Sequence, residues 1–394
     1  MLSHHPIFVI FVAAVLAPLI ARTRAGSRVP VVVLEVLLGI LLGPHLLNFV
    51  TEDAFLSVMR SVGMVAVLFM AGMEIDFASI RGRPLTLAMQ GWVLTLVLAV
   101  IAVAVLHVIP DVKAPMMVVI ALSTTGLGTL LPILRDGGQL EAPLGRMLLA
   151  AGTIGEVGPI VAVSLALSDR YSSWQEFALL LVFLGLVALA AAVGVGARPP
   201  RVLSLLSRTM HASTQLPVRV ALLILATLVT IANTFGFEAV FGAFAAGMIV
   251  GLATRGADGE LFRVKIDAVC FGWFAPFFYV GTGVAFDVGA LARDVTTMLL
   301  LPSFLILLLL VRGLPVYLYR RDLASADRMP FALCSGVASL GLVVVIAHVG
   351  VASKHMNPDI AQALIGAAML SLLIFPTLAR VLLARADSRA SASA

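Results

Sequence analysis

Between Leu144 and Ser168 the chain is apolar for the length of a membrane-crossing helix, and Glu156 is the only carboxylate in that run, within Gly155-Glu156-Val157-Gly158-Pro159. A carboxylate at mid-membrane is costly unless paired, hydrated or protonated, so it marks a place where ions or protons bind. Desolvation favours its neutral form, so Glu156 would hold either a cation or a proton, never both, and that exclusion would couple two fluxes. The structural alternative is a partner for a buried base. Pro159 has no N–H, so the carbonyl of Gly155 loses its usual i+4 donor and is expected as an oxygen ligand beside the carboxylate.

A second group of oxygens lies in Ser123-Thr124-Thr125, and a third in Ser335 and Ser339. Hydroxyl and carbonyl oxygens suit hard cations such as Na⁺ or K⁺; alternatively, these small residues only let helices pack closely. Arg312 follows Ile306-Leu307-Leu308-Leu309-Leu310-Val311 and precedes Arg320 by eight residues. That is roughly 12 Å along a helix, more than a side chain comfortably snorkels. Arg312 therefore reads as a fixed internal cation, set to neutralise the carbonyl ends of broken helices or to pair with a carboxylate, Glu156 being the candidate. Glu35, in Val33-Leu34-Glu35-Val36-Leu37, either lines an ion path or stabilises a helix pair. Glu74, Asp76 and Asp287 close their spans as capping or funnelling acids, Glu238 reads as an external-mouth residue, and Asn233 as a polar helix contact.

These residues must be positioned by a membrane-embedded helical scaffold. Of the 394 residues 61% are hydrophobic and 12% charged, and the mean hydropathy is +1.10; a soluble chain carries roughly twice that charged fraction. Apolar runs punctuated by loops give thirteen expected spans, near 5–21, 30–50, 58–74, 84–109, 114–134, 144–168, 174–197, 217–235, 237–254, 266–286, 294–319, 330–352 and 359–383. The first is a retained span and not a signal peptide, since no basic segment precedes it while Arg22, Arg24 and Arg28 follow it. Most Lys and Arg fall in alternate loops, which places the N-terminus outside and the C-terminus in the cytoplasm. The same distribution explains the net charge of +5 without a nucleic-acid partner. Cys270 and Cys334 lie in apolar runs and read as packing residues.

The organisation expected is a first half over 1–197, a basic cytoplasmic linker over 198–219, a second half over 220–384 and a short cytoplasmic tail over 385–394. Gly72-Met73-Glu74-Ile75-Asp76-Phe77-Ala78-Ser79-Ile80 lines up with Gly283-Val284-Ala285-Phe286-Asp287-Val288-Gly289-Ala290-Leu291, and Thr125-Gly126-Leu127-Gly128 with Ala338-Ser339-Leu340-Gly341. The loop assignment gives the two copies opposite topology, and inverted repeats with matched Gly-interrupted helices are characteristic of secondary transporters. No Walker loop, dinucleotide fingerprint or HExxH occurs, which argues against ATP-driven pumping and zinc proteolysis. Neither an enzymatic activity nor a cofactor is expected.

The stretches Val36-Leu37-Leu38-Gly39-Ile40-Leu41-Leu42-Gly43-Pro44, Phe69-Met70-Ala71-Gly72-Met73-Glu74-Ile75-Asp76, Ala121-Leu122-Ser123-Thr124-Thr125 and Phe274-Ala275-Pro276-Phe277-Phe278-Tyr279-Val280-Gly281-Thr282-Gly283 are together specific. In them the chain resembles the monovalent cation:proton antiporters of the second branch, which share the Na⁺/H⁺ exchanger fold. The resemblance implies an all-α polytopic protein in which spans 5 and 12 cross as discontinuous helices, a six-helix core domain moving in an elevator-like cycle, and a homodimer in a bacterial inner membrane. It also places the family's acidic pair on Gly155 and Glu156 and its basic residue on Arg312. The chain departs from the pattern by having Gly followed by Glu where the family has Asp, Asn or Gln followed by Asp. A single carboxylate suggests electroneutral exchange of Na⁺ or K⁺ for H⁺. A nucleotide-binding regulatory domain, appended in potassium-efflux relatives, is expected to be absent or supplied by another chain. Two alternatives remain: a transport-inactive sensor or accessory subunit, and a transporter of another solute.

Overall fold

A helix that is apolar on every side can be covered only by lipid or by other helices, and this condition holds along most of the chain. The computed structural model describes residues 6–23, 29–74, 80–106, 115–127, 130, 134, 139–140, 142–166, 185, 214–235, 237, 239–254, 257–289 and 295–393. Every regular element among them is helical. Among the described residues eight helices are long and apolar enough to cross a membrane, and three apolar ones, Pro6–Ala21, Val31–Leu42 and Ala239–Ala253, are shorter. The expected span over 174–197 and most of the 198–219 linker lie outside the described residues, as do Asp76 and Glu238.

The chain packs as two compact units, each drawing on both sequence halves: Met1–Thr51, Asp76–Val163 and Thr282–Ala394 in one, Glu52–Ile75 and Ser164–Gly281 in the other. The first unit contains α1 (Pro6–Ala21), α2 (Val31–Leu42), α4 (Arg83–Leu106), α5 (Pro115–Leu122) and α6 (Pro143–Ala166). Its C-terminal part contains α11 (Val295–Gly313), a 3₁₀ turn (Leu314–Tyr319), α12 (Ser325–Ser335), α13 (Leu340–Ala352) and α14 (Pro358–Ser393). Helix α14 packs along α11, α12 and α13, and α4 packs on α5, α11 and the 3₁₀ turn. Ile80, Ala88 and Ala150 form a buried cluster with Leu85, Leu149 and Ile154. The first residue of α4 makes a two-point ion pair, with Arg83 Nε and Nη2 donating to Asp322 Oδ1 and Oδ2 at 2.5 and 2.9 Å. That pairing holds the Asp322 carboxyl below its ordinary range, so its contribution is complete above the unfolded pKa and is lost as pH falls through the lowered one.

The second unit contains α3 (Ala54–Glu74), α7 (Leu216–Thr234), α8 (Ala239–Ala253), α9 (Ala257–Val269), a π-helical turn (Cys270–Phe274) and most of α10 (Ala275–Val284). The helix comprising α9 and α10 starts well before the expected boundary at 266, because the amphipathic stretch Ala257–Val269 is already helical. Likewise α14 continues through the segment expected as a tail. Helices α3 and α8 meet backbone to backbone at glycines: a Cβ at Gly72 would lie 3.0 Å from Met248 N and 3.1 Å from Gly247 Cα, and one at Gly251 would lie 2.7 Å from Met73 O. Small residues at such crossings bring dispersion and weak polar contacts into range where lipid supplies no hydrophobic drive. Arg263 Nη2 donates to Met73 O at 2.9 Å and so covers a carbonyl at the end of α3.

Overpacking a close crossing costs about 1–3 kcal/mol, so Gly72→Val is expected to lower the thermal midpoint of the purified protein. Gly272→Ala, at a position with nothing within 4 Å of an added Cβ, should leave that midpoint unchanged; equal midpoints for the two variants would contradict the packing.

Candidate functional site

Two helices of the first unit stop inside it. Helix α5 ends at Leu122 and the chain is non-helical from Ser123 to Gly126 before resuming at Leu127; α12 ends at Ser335 and α13 begins at Leu340. Backbone groups exposed by a broken helix must be paired inside the protein, since lipid offers no partner. The breaks satisfy much of this demand in one another. Gly126 N donates to Val337 O at 2.9 Å, and Thr125 Oγ1 donates to Ser335 O at 2.9 Å. A Cβ at Gly126 would lie 2.9 Å from Ala338 O, so glycine permits this approach.

The rest of the demand falls on α6 and α14. Pro159 sits inside α6, and the Gly155 carbonyl that it leaves without an i+4 donor accepts Thr125 N–H at 3.0 Å. Glu156, 4% exposed, accepts Leu127 N–H on Oε1 at 3.0 Å. Its carboxylate thus pairs a backbone N–H that the break in α5 leaves exposed. Ser371 of α14 accepts Ala338 N–H at 3.1 Å and donates to Ala368 O at 2.7 Å.

Arg312, in the last turn of α11 and 4% exposed, reaches into the same crossing. Its Nε donates to Thr125 Oγ1 at 2.7 Å and to Ser335 O at 3.4 Å. Nη1 donates to Thr95 Oγ1 at 3.4 Å, and Nη2 to Thr125 Oγ1 and, at 3.2 Å, to Ala151 O. A fixed positive charge therefore faces the carbonyl end of α12, where the helix dipole favours it.

Three glycines at three-residue spacing on α6 make room for these contacts. A Cβ at Gly152 would meet Leu127 Cδ1 at 2.9 Å; one at Gly155 would meet Thr125 Cβ at 2.7 Å and Arg312 Nη2 at 2.8 Å; one at Gly158 would meet the Trp92 ring at 2.5 Å. The space that a side chain at position 155 would take is filled by Thr125 and Arg312.

A profile of the family described as "Sodium/hydrogen exchanger, transmembrane" matches residues 11–385. The chain belongs to the transmembrane sodium/hydrogen exchanger family. Among its relatives, the putative Na(+)/H(+) antiporter YjbQ of Bacillus subtilis is 25% identical over 387 residues, covering 93% of this chain and 61% of the relative. The Na(+)/H(+)-K(+) antiporter GerN of Bacillus cereus is 23% identical over 371 residues, covering 92% of each. Cation/H(+) antiporter 18 of Arabidopsis thaliana is 26% identical over 307 residues, covering 72% of this chain and 37% of the relative. The chain thus spans less than two thirds of the length of the first and last of these. The sodium proton antiporter MjNhaP1 from Methanocaldococcus jannaschii shares the fold, with TM-score 0.66 at 17% identity over 95% of this chain and 97% of that one.

Within this family fold, the candidates Gly155, Glu156, Pro159, Thr125 and Arg312 come together at the crossing. Ser123 and Thr124 are fully buried beside it, their hydroxyls donating to Ile120 O at 2.7 Å and Ala121 O at 2.8 Å. Ser339 stands at the N-terminus of α13 without a side-chain capping bond. Glu35 is buried in α2, and among the described residues no hydrogen bond joins it to the crossing. Glu74 closes α3, Asn233 is exposed, and Asp287 Oδ1 lies 3.4 Å from His45 Nδ1. Thr95, Ser371, Trp92 and the glycine series of α6 were not singled out by the sequence. The last alone had a local signal, its regular spacing.

Thr125→Val would remove the hydroxyl that Arg312 shares with Ser335 O. Loss of hydrogen bonds to a charged group costs about 1.5–3 kcal/mol, so a lowered thermal midpoint is expected, and an unchanged one would contradict the shared role of Thr125. Pro159→Ala restores an N–H that competes with Thr125 for the Gly155 carbonyl. Hydrogen exchange should then show weaker protection at the Thr125 amide; unchanged protection would mean that the proline does not free that carbonyl.

Proposed function

We propose that this chain is a secondary antiporter that exchanges a monovalent cation, Na⁺ or K⁺, for H⁺ across the membrane, with Glu156 as the group for which they compete. The observation that carries this reading is the burial of Glu156 against the crossing of two broken helices, where its carboxylate accepts the Leu127 N–H just past the break in α5. Membership of the sodium/hydrogen exchanger family supports it, as do the antiporter names borne by the relatives. In this reading the Gly155 carbonyl and the Ser123, Thr124 and Thr125 oxygens supply the cation's further ligands. Arg312 and Thr125 hold the broken ends so that Glu156 meets the ion in a fixed frame.

With glycine at 155 the pair of polar residues typical of the family is reduced to one carboxylate. One carboxylate releases one proton per cation bound, which favours electroneutral exchange. Alternating access by an elevator-like cycle, inverted-topology repeats, a homodimer, an N-terminus outside with a cytoplasmic C-terminus, and a bacterial inner membrane complete the proposal.

In proteoliposomes carrying a pH-sensitive dye, wild type should dequench the dye on addition of Na⁺ or K⁺, whereas Glu156→Gln should lose at least about 100-fold in rate, as removal of a group essential to proton transfer does. Equal responses from the two proteins would remove Glu156 from the mechanism. Exchange that is insensitive to a valinomycin-set potential is expected for the electroneutral cycle, and acceleration by that potential would rule it out.

A further inference from the structure

The hydroxyls around the crossing differ in how far their bonding capacity is used. Thr125 Oγ1 donates to Ser335 O and accepts from both Nε and Nη2 of Arg312. Thr95 Oγ1 donates to Gly91 O at 2.9 Å and Val311 O at 3.3 Å while accepting from Arg312. Ser371 Oγ accepts from Ala338 N and donates to Ala368 O. Ser123 and Thr124 spend their protons on the last carbonyls of α5. Ser335 is different: it is 2% exposed, and its buried Oγ has no hydrogen-bond partner among the described residues.

An unpaired buried hydroxyl is destabilising, so one retained at a helix break calls for a ligand that satisfies it. Its place narrows the chemistry of that ligand. Ser335 is the last residue of α12, an eleven-residue helix whose carbonyl end carries partial negative charge. The Ser335 carbonyl is bound by Thr125 Oγ1, and Thr125 N is bound by the carbonyl of Gly155, the neighbour of Glu156. Ser335 thus lies two hydrogen bonds from the residue adjoining a buried carboxylate, at a helix end that favours positive charge. Hydroxyl, carbonyl and carboxylate oxygens suit a partly dehydrated alkali cation. Arg312 does not fill the role, because its bonds go to Thr125, Thr95, Ala151 O and the Ser335 carbonyl, not to the Ser335 hydroxyl.

We infer that Ser335 Oγ is a ligand of the transported monovalent cation, supplied by the second broken helix. The inference rests on the exchange reading above and adds to it a residue that contacts the cation but not the proton. Substitution should therefore separate the two ions.

The test compares the full-length wild type with Ser335→Ala and Ser335→Thr, using radioactive sodium binding, the thermal shift produced by NaCl over choline chloride, and dye-detected exchange in proteoliposomes. Ser335→Ala breaks no existing hydrogen bond of the hydroxyl and removes an unpaired buried group, so its midpoint in choline chloride should be no lower than that of wild type. The Na⁺ concentration for half-saturation should rise about tenfold, the scale of one lost ligand, and the NaCl-induced thermal shift should shrink accordingly. The pH midpoint of cation-free protonation should stay in place, and Ser335→Thr should restore binding. Wild-type half-saturation in Ser335→Ala would overturn the assignment and leave an ordered water as the partner of the hydroxyl. A midpoint lowered in choline chloride with unchanged sodium affinity would overturn it in favour of a packing role. If wild type itself bound no alkali cation, the exchange reading would fail with it; normal wild-type binding that is indifferent to Ser335 would sink this inference alone.

Discussion

Helices that stop within an apolar interior leave backbone donors and acceptors that lipid cannot satisfy, and the first unit of this protein is organised around pairing them. The chain meets the requirement by bringing two interruptions together. Gly126 N–H goes to Val337 O, Thr125 N–H to Gly155 O, Leu127 N–H to Glu156, and Ala338 N–H to Ser371. The acceptors lie on α6, on α14 and in the break between α12 and α13, so α5, α6, α12, α13 and α14 are held in one register by groups that would otherwise be orphaned. Glu156 takes part in this lattice while remaining a titratable acid. The residue proposed to exchange ions is thereby also an acceptor for the backbone, and changes at its carboxylate are felt directly at the Leu127 amide.

Arg312 contributes the opposite charge by an indirect route. A guanidinium buried in lipid-like surroundings is tolerable when its donors are met by hydroxyls and carbonyls, and here Thr125, Thr95, Ala151 O and Ser335 O meet them. These acceptors come from four different segments of the unit. Its charge therefore acts on the carbonyl end of α12 as well as on the surrounding field. The site combines a fixed cation, a titratable anion and two helix ends within one hydrogen-bonded assembly.

Much of this is legible in the sequence, for physical reasons that differ from residue to residue. Glu156 and Arg312 stand out because a charge in an apolar span is costly, and Pro159 because its missing donor can be located by counting four residues back. The breaks themselves appear as small polar stretches, Ser123-Thr124-Thr125 and the region up to Ser339. Pair identities are not legible. Nothing local tells that Thr125 accepts from Arg312, since a buried charge directs attention to a carboxylate or a carbonyl end, whereas its nearest acceptor here is a neutral hydroxyl. Ser371 and Thr95 are single hydroxyls within apolar helices, where back-bonding to the preceding turn conceals any long-range role. Boundaries shift where amphipathic sequence is helical, as at Ala257–Val269, because hydropathy measures span length and not helix length.

Gly155 first reads as a deletion, a lost side chain where the family keeps a polar one. The crossing gives it a different meaning. With Thr125 and Arg312 closed over it, the position has no room for even a methyl group, so residues 125, 155 and 312 form a coupled set in which the identity at one limits the identities tolerated at the others. A polar residue could return at 155 only together with a smaller neighbour at 125 or a rerouted arginine. What position 155 can accept is thus set by the side chains at 125 and 312 as much as by the helix that carries it.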